Sequence, residues 1–581
     1  MNASSSPSAP GPRPSAPSGG PAWPFLVIRH PMSVNEKPDE FRLLAEAHKR
    51  HPGACDEFWF ATGSRKTVPA LEEECATFAR YRGLCEEAGI LLGFQQGLTL
   101  GHGERHDGKP RPGEQTFPDD AWQVGRDGAR IPFLCPRSPA VLAYERAYVE
   151  TVLRVADPSS YWLDDDLRLG ISKPDGCFCD RCLAAFNAKE GLSLSREALV
   201  SRLYDARTAR EPLRAKWSDF NAESIAVYAA EARKAADGLG SRCRLAYQSV
   251  SADRRYTASD YGPLLRALSG PRHEPVGIRP GHGFYTEENP RGMIAKALAV
   301  AREAERLRGS PLPVSSICYE QETYPRHLLH KTPGAIMVES ALALASGCDS
   351  LSLYWFPGES PMPVAEYDRF LDVLSAARPY FERLAASARG TRLGGVARFV
   401  GSAAAETADF DLYDETDYDL ACAGVPVTVA NPAASAWYVT EKSRREMAEA
   451  DAAALSAMPV ADVSGAGRFP TVARRAKLLD DLDAATGGTF PVRVDECRAI
   501  RVLPRVRDGG RLDAVTLLNL SIGATGPLAV RCRRPASGAP AWQGPGDAAP
   551  RPIPAAAGAR PEELLVRLSD LGPWQIGTIF F

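Results

Sequence analysis

Beyond residue 22 the chain repeats one pattern: a short apolar run, then a longer segment with apolar residues at helical spacing. Short continuous apolar runs read as buried strands, and stripes at i, i+3 and i+4 read as amphipathic helices. Strands are expected at 25–30, 57–62, 91–96, 161–166, 243–249, 276–279, 314–320 and 351–356. Helices are expected between them, at 39–50, 70–88, 139–155, 218–239, 292–308, 334–346 and 364–386. Ala70, Cys75, Phe78, Tyr81 and Leu84 make one such stripe. Strand–helix alternation builds a parallel sheet covered by helices, and eight repeats close most simply into a (β/α)8 TIM barrel, here over residues 23–390. An open doubly wound sheet is the alternative. It is weakened because no glycine-rich phosphate-binding turn follows the first strand.

The ends of these strands carry the polar residues: Arg29 and His30, Gln95 and Gln96, Asp164, Asp165 and Asp166, Gln248, Arg279 and His282, Glu320 and Glu322, then Trp355. In a barrel the C-terminal ends of the strands form the catalytic face. Carboxylates from strands four and seven would face each other across a central pocket. Glycosidic bond cleavage commonly uses two carboxyl groups, one to protonate the leaving oxygen and one to attack the sugar or activate water. Adjacent carboxylates raise one another's pKa, which suits a proton donor. The Asp164–Asp166 run can also be a solvated loop or a helix cap, and an oxygen cluster can bind a divalent cation. Arg279 and His282 are candidates for substrate contact, with a structural ion pair as the other role for Arg279. Trp59, Trp122, Trp162 and Trp355 are either core residues or stacking platforms for sugar rings.

Cys177, Cys179 and Cys182 put three thiols within six residues, and Cys135 in Phe133-Leu134-Cys135-Pro136-Arg137 offers a fourth. Four thiolates make a closed structural zinc site; free or redox-active thiols are the other reading. The remaining cysteines are expected to be buried small hydrophobes.

These residues together resemble the glycoside hydrolase family 42 β-galactosidases and, more distantly, related clan A barrel glycosidases. Leu134-Cys135-Pro136-Arg137-Ser138-Pro139, then Trp162-Leu163-Asp164-Asp165-Asp166, then Cys177-Phe178-Cys179-Asp180-Arg181-Cys182 and Phe186 follow that family's order of motifs. The resemblance implies that Cys135, Cys177, Cys179 and Cys182 hold zinc. It implies that Asp166 stands where the family has its acid/base Glu, and Asp165 where it has Asn. Glu320 then falls at the nucleophile, with Glu322 as the alternative. Asp164, Asp165, Arg279, His282, Glu322 and Trp355 would contact substrate, a β-linked galactoside-like glycan. The family's domain order and its trimeric assembly are likewise implied.

Composition excludes some classes. The chain has 69 Lys and Arg against 72 Asp and Glu, a net charge of -3 with no basic patch for nucleic acid. No run reaches the roughly 18 apolar residues of a membrane span. Thirteen scattered cysteines argue against a disulfide framework and for a reducing compartment, the cytoplasm. Residues 1–22, almost all Ser, Pro, Gly and Ala, read as a disordered tail without the apolar core of an export signal. Residues 391–495 read as a small α/β domain, which the resemblance implies is a reduced flavodoxin-like one, and 496–581, with short strands between Gly/Pro-rich turns, as a β-sandwich. A catalytically inactive carbohydrate-binding barrel and a metal-dependent hydrolase using the aspartates are the competing functions.

Overall fold

Eight parallel strands close on themselves in chain order in the computed structural model. The structure describes residues 23–30, 37–62, 65–102, 113–169, 176–204, 210–250, 260–324, 329–355, 363–407, 415–429, 431, 433–463, 471–496, 499–537 and 539–581; the expected tail at 1–22 lies outside them. The barrel strands are β1 (Leu26–His30), β2 (Glu57–Thr62), β3 (Leu91–Gln96), β4 (Ser160–Leu163), β5 (Arg244–Ser249), β6 (Val276–Pro280), β7 (Val314–Glu322) and β8 (Ser350–Tyr354). Each pairs in parallel with its sequence neighbours, and β1 pairs with β8 to close the ring. The TIM barrel is therefore the fold, and the open sheet is excluded.

The covering helices are α1 (Pro38–Arg50), α2 (Val68–Glu87), α3 (Pro139–Val155), α4 (Asp180–Glu190), α5 (Arg196–Tyr204), α6 (Pro212–Gly238), α7 (Tyr261–Ser269), α8 (Pro290–Gly309), α9 (Pro333–Ala345) and α10 (Val364–Ala388). Several begin one to six residues before the position expected from apolar spacing. A proline occupies the first turn of α1, α2, α3, α6, α8 and α9. Proline at that point loses no hydrogen bond, and its fixed φ suits the helix, so it starts these helices.

Side chains alternate along each strand, which divides the barrel residues into two sets. Val27, Trp59, Trp162, Ala246 and Cys318 point inward and pack as the lower core, with Trp23 against them. Trp59 and Trp162 are thus core residues, 4.3 Å apart by ring centroid. Gly93 makes room, since a Cβ there would collide with the Trp59 ring. At the entry of β2 the buried Glu57 accepts hydrogen bonds from Trp59 Nε1 at 2.7 Å, Ser160 Oγ at 3.0 Å and Arg244 Nη2 at 3.3 Å.

After the barrel, a three-stranded parallel sheet joins Val427–Thr428, Gly395–Arg398 and Ala434–Tyr438. Two antiparallel sheets follow, of six and four strands, with a separate apolar core that includes Val502, Val515, Val530 and Trp542, as expected of a sandwich. Thr391–Leu393 and Val492–Val494 belong to these antiparallel sheets although they flank the parallel one in sequence. Among the described residues no helix is long and apolar enough to cross a membrane.

Removing Glu57 leaves Arg244 and the Trp59 indole N–H without their shared acceptor in a dry layer. Glu57→Ala is expected to cost about 3–5 kcal/mol of stability, and Glu57→Gln less. Chemical denaturation of the two variants checks this; a loss near zero for Glu57→Ala would mean that the barrel floor is held by packing alone.

Candidate active site

The upper layer of inward-facing residues is polar. It contains Arg29 (β1), Gln95 (β3), Asp164 just past β4, Gln248 (β5), Arg279 (β6), Glu320 (β7) and Tyr354 (β8). The same alternation that buries tryptophans one layer below presents these groups at the C-terminal end of the barrel.

Two buried guanidinium groups organise the layer. Arg29 Nε donates to Gln95 Oε1 at 2.9 Å, and Arg29 Nη1 to Glu320 Oε1 at 3.1 Å; its guanidinium lies 4.5 Å from the centroid of the Tyr354 ring. Arg279 Nη1 meets the same Glu320 oxygen. Arg279 Nη2 lies 3.7 Å from Asp164 Oδ1 and 3.6 Å from Asp165 Oδ2. One guanidinium thus spans carboxylates from β4 and β7, on opposite sides of the barrel. The other Glu320 oxygen lies against Gly281, where any Cβ would collide with it.

Burial pushes Asp164 up to about 7, with Asp165 and Asp166 adding to the shift and Arg279 and Arg29 opposing it. Burial also raises Asp165, against the pull of Arg279. Arg279 is lowered to about 10 by burial and by the nearby Arg29 charge. A cleft that holds a proton on one carboxyl beside a second carboxylate meets the chemical requirement for acid catalysis near neutral pH.

The expected site residues divide. Asp164, Asp165, Arg279 and Glu320 come together. Asp166 turns the other way: its Oδ1 is 2.7 Å from His102 Nδ1 and 3.4 Å from Arg168 Nη2. Glu322, two residues beyond Glu320, shares its face of β7, and its charge acts on Asp165. His282 has its Nε2 buried without a hydrogen-bond partner; burial and the charges of Lys296 and Arg302 lower it to about 4. Trp355 points outward, buried, and stacks on Phe370 of α10 at 3.9 Å. Alternation along β8 would have selected Tyr354 instead. His30, also outward, is buried among Phe41, Phe58 and Phe60 and lowered to about 3 by burial. Spacing alone did not find Tyr285 and Tyr324, exposed aromatics after β6 and β7 whose rings meet edge-on at 6.3 Å. Tyr285 is raised to about 12, by burial first and then by Glu322 and Asp165, which places it within electrostatic reach of the site.

The cysteines form a second centre. Cys135 ends a hairpin of Trp122–Val124 and Arg130–Leu134, and the other three lie where the chain enters α4. All four are buried, and their sulfurs lie within 4.8 Å of one another. Cys135 Sγ is 3.7 Å from Cys179 Sγ and 3.6 Å from Cys182 Sγ. That is too long for a disulfide of about 2.05 Å but close to the edge of about 3.8 Å in a tetrahedron of Zn–S bonds. Bonds among the four hold Cys135 and Cys179 below the ordinary thiol range and Cys177 and Cys182 above it. Among the described residues this is the one set of three or more donors close enough to hold a metal ion.

No protein-family model matches the chain, and no curated protein matches its sequence. The fold does match solved structures. An α-L-fucosidase isoenzyme 2 from Paenibacillus thiaminolyticus aligns at TM-score 0.61 and 9% identity, over 96% of this chain and 99% of that one. A cold-adapted β-galactosidase from Rahnella sp. R3 aligns at TM-score 0.57 and 13% identity, over 96% and 98%. A GH42 β-galactosidase from G. stearothermophilus aligns at TM-score 0.56 and 11% identity, over 96% and 98%. At such identities the likeness is one of fold.

The position of Asp164 has a thermodynamic consequence. A carboxyl whose folded-state pKa is raised adds stability that is fully present at low pH and is lost as pH rises through the folded value. Asp164→Asn should match wild type in stability near pH 4 and gain on it progressively up to about pH 7. Denaturation across that range checks this, and a difference that stays flat with pH would place the proton elsewhere.

Proposed function

We propose that the chain is a glycoside hydrolase acting by two carboxyl groups at the top of the barrel. The observation that carries this reading is the Arg279 guanidinium, which gathers Glu320 of β7 and Asp164 and Asp165 just past β4 around one point. Glu320 would attack the sugar carbon, held in place by Arg29 and Arg279. A carboxylic acid of the aspartate run would protonate the leaving oxygen and then activate water, which gives retention of configuration. The motif resemblance points to Asp166 for the acid. A specific observation favours Asp164: it retains a proton near neutral pH and faces Glu320 through Arg279, whereas Asp166 is tied to His102 and Arg168. Tyr285 and Tyr324 would offer aromatic faces to sugar C–H groups at the mouth.

The substrate is proposed to be a β-linked galactoside or a related glycan. β-Galactosidases and an α-L-fucosidase share the fold, so galactosides and fucosides are the first to test. The competing reading, a carbohydrate-binding barrel without turnover, is favoured by the loss of the family's Asn-Glu pair at Asp165 and Asp166. A cation site on the aspartates is disfavoured, because their oxygens face guanidinium groups.

A panel of activated aryl glycosides tests this. Glu320→Gln should lower turnover at least about 10³-fold, while Glu322→Gln should not. The variant of the true acid should lose about 10²–10⁴-fold on substrates with poor leaving groups and far less on activated ones. Selective loss in Asp164→Asn supports the geometric assignment, and loss in Asp166→Asn supports the motif. No turnover of any glycoside by the folded wild type would favour the binding barrel.

We also propose that Cys135, Cys177, Cys179 and Cys182 hold a structural zinc ion. The ion would fasten the hairpin after β3 to the segment that follows the aspartates, and no step of the reaction runs through it. Elemental analysis should find about one zinc per chain, and Cys179→Ser should lose it with a fall in melting temperature. A metal-free wild type of unchanged stability would mark the four as plain thiols.

A further inference from the structure

Behind β7 lies a cluster of charges with no part in the chemistry above. Glu339 of α9, Lys296 of α8 and Lys331 are all buried. Lys296 Nζ is 3.3 Å from Glu339 Oε1 and donates to the backbone oxygen of Glu320 at 2.7 Å. Lys331 Nζ donates to Glu339 Oε2 at 2.8 Å, to the backbone oxygen of Glu322 at 2.7 Å and to that of Phe284 at 2.6 Å. The Tyr319 hydroxyl donates to Glu339 Oε1 at 2.8 Å. Taking three charged groups out of water is costly, so such a cluster persists only where its geometry is well satisfied.

The barrel ladder explains what the ammonium groups replace. Ile317 and Thr323 turn their peptide groups to β8: Asp349 N donates to Ile317 O at 2.7 Å, and Thr323 N to Tyr354 O at 3.1 Å. By alternation, the peptide groups of Glu320 and Glu322 turn to β6. On that side the ladder stops early, with Ile278 opposite Ile317 as the last pair. The end of β7 has parted from β6, and its carbonyl groups on that side need other donors.

We propose that Lys296 and Lys331, held by Glu339, are positioning residues that clamp the end of β7 and so fix the Glu320 carboxylate against Arg29, Arg279 and Gly281. Lys331 also ties the loop after β6, through Phe284, to the same strand end. The catalytic part of this inference rests on the glycosidase reading; the clamp itself does not.

The test uses Lys296→Met and Lys331→Met in the full-length protein. Each variant leaves one lysine against Glu339, a neutral pair that favours folding. Hydrogen exchange of the peptide covering residues 314–324 should accelerate at least tenfold in either variant, with peptides from β2 and β3 unchanged. If a glycoside is turned over, kcat should fall 10–100-fold with KM within threefold, because the nucleophile is misplaced while binding is kept. Unchanged exchange at the β7 end overturns the clamp whether or not wild type is active. Faster exchange with unchanged kcat in an active enzyme overturns the positioning role. Should either variant fail to fold, Lys296→Leu and Lys331→Leu, which remove the same donors with a shorter side chain, supply the same two readouts.

Discussion

A buried guanidinium cannot be left without partners in a medium of low polarity, and Arg279 meets that demand by drawing in carboxylates from both walls of the barrel. Its position on β6 lets it reach Glu320 on the neighbouring strand and the aspartates past β4 on the other side. Arg29 adds a second donor to the same Glu320 oxygen. Burial lowers Arg279 first and the nearby Arg29 charge adds to it; the surrounding carboxylates Asp165, Asp164 and Glu322 oppose both. The upward shift of Asp164 comes from burial first, and the adjacent Asp165 and Asp166 add to it against the pull of Arg279 and Arg29.

The site rests on two supports of different chemistry. Toward the barrel axis, charged side chains fix one another. Behind the sheet, the Lys296–Glu339–Lys331 cluster holds the backbone from which Glu320 projects. A carboxylate aimed by its own hydrogen bonds and by its strand has little freedom left, as the proposed nucleophilic role requires. The four cysteine sulfurs likewise bring the hairpin between β3 and α3 together with the segment between the aspartates and α4.

Much of this was legible in the sequence, because alternation is a local property. Apolar runs of strand length separated by helical stripes are enough to give the barrel. Three cysteines in six residues are enough to give the thiol centre, and Cys135 is marked by its place in a motif. The errors have physical causes. Helix starts fell late because apolar spacing set them, whereas Pro212 and Pro290 sit in first turns that precede the apolar stripe. Trp355 was grouped with the site although one residue of alternation turns it to α10, leaving Tyr354 inward. Lys296 and Lys331 carried no signal, since a lysine within or just before a helix normally reaches solvent.

The sequence by itself determined the set of residues available at the barrel's C-terminal face, because strand length and alternation decide which side chains point inward. It also determined the four thiols, whose spacing brings most of them together within one turn of chain. Only the tertiary structure decided the partners: that Arg279 joins Asp164 to Glu320, that Asp166 turns to His102, and that two lysines meet one glutamate behind β7. These pairs are separated by 8 to 156 residues. Nothing local encodes such a choice; it is made by barrel closure and by the cost of burying a charge without its counterpart.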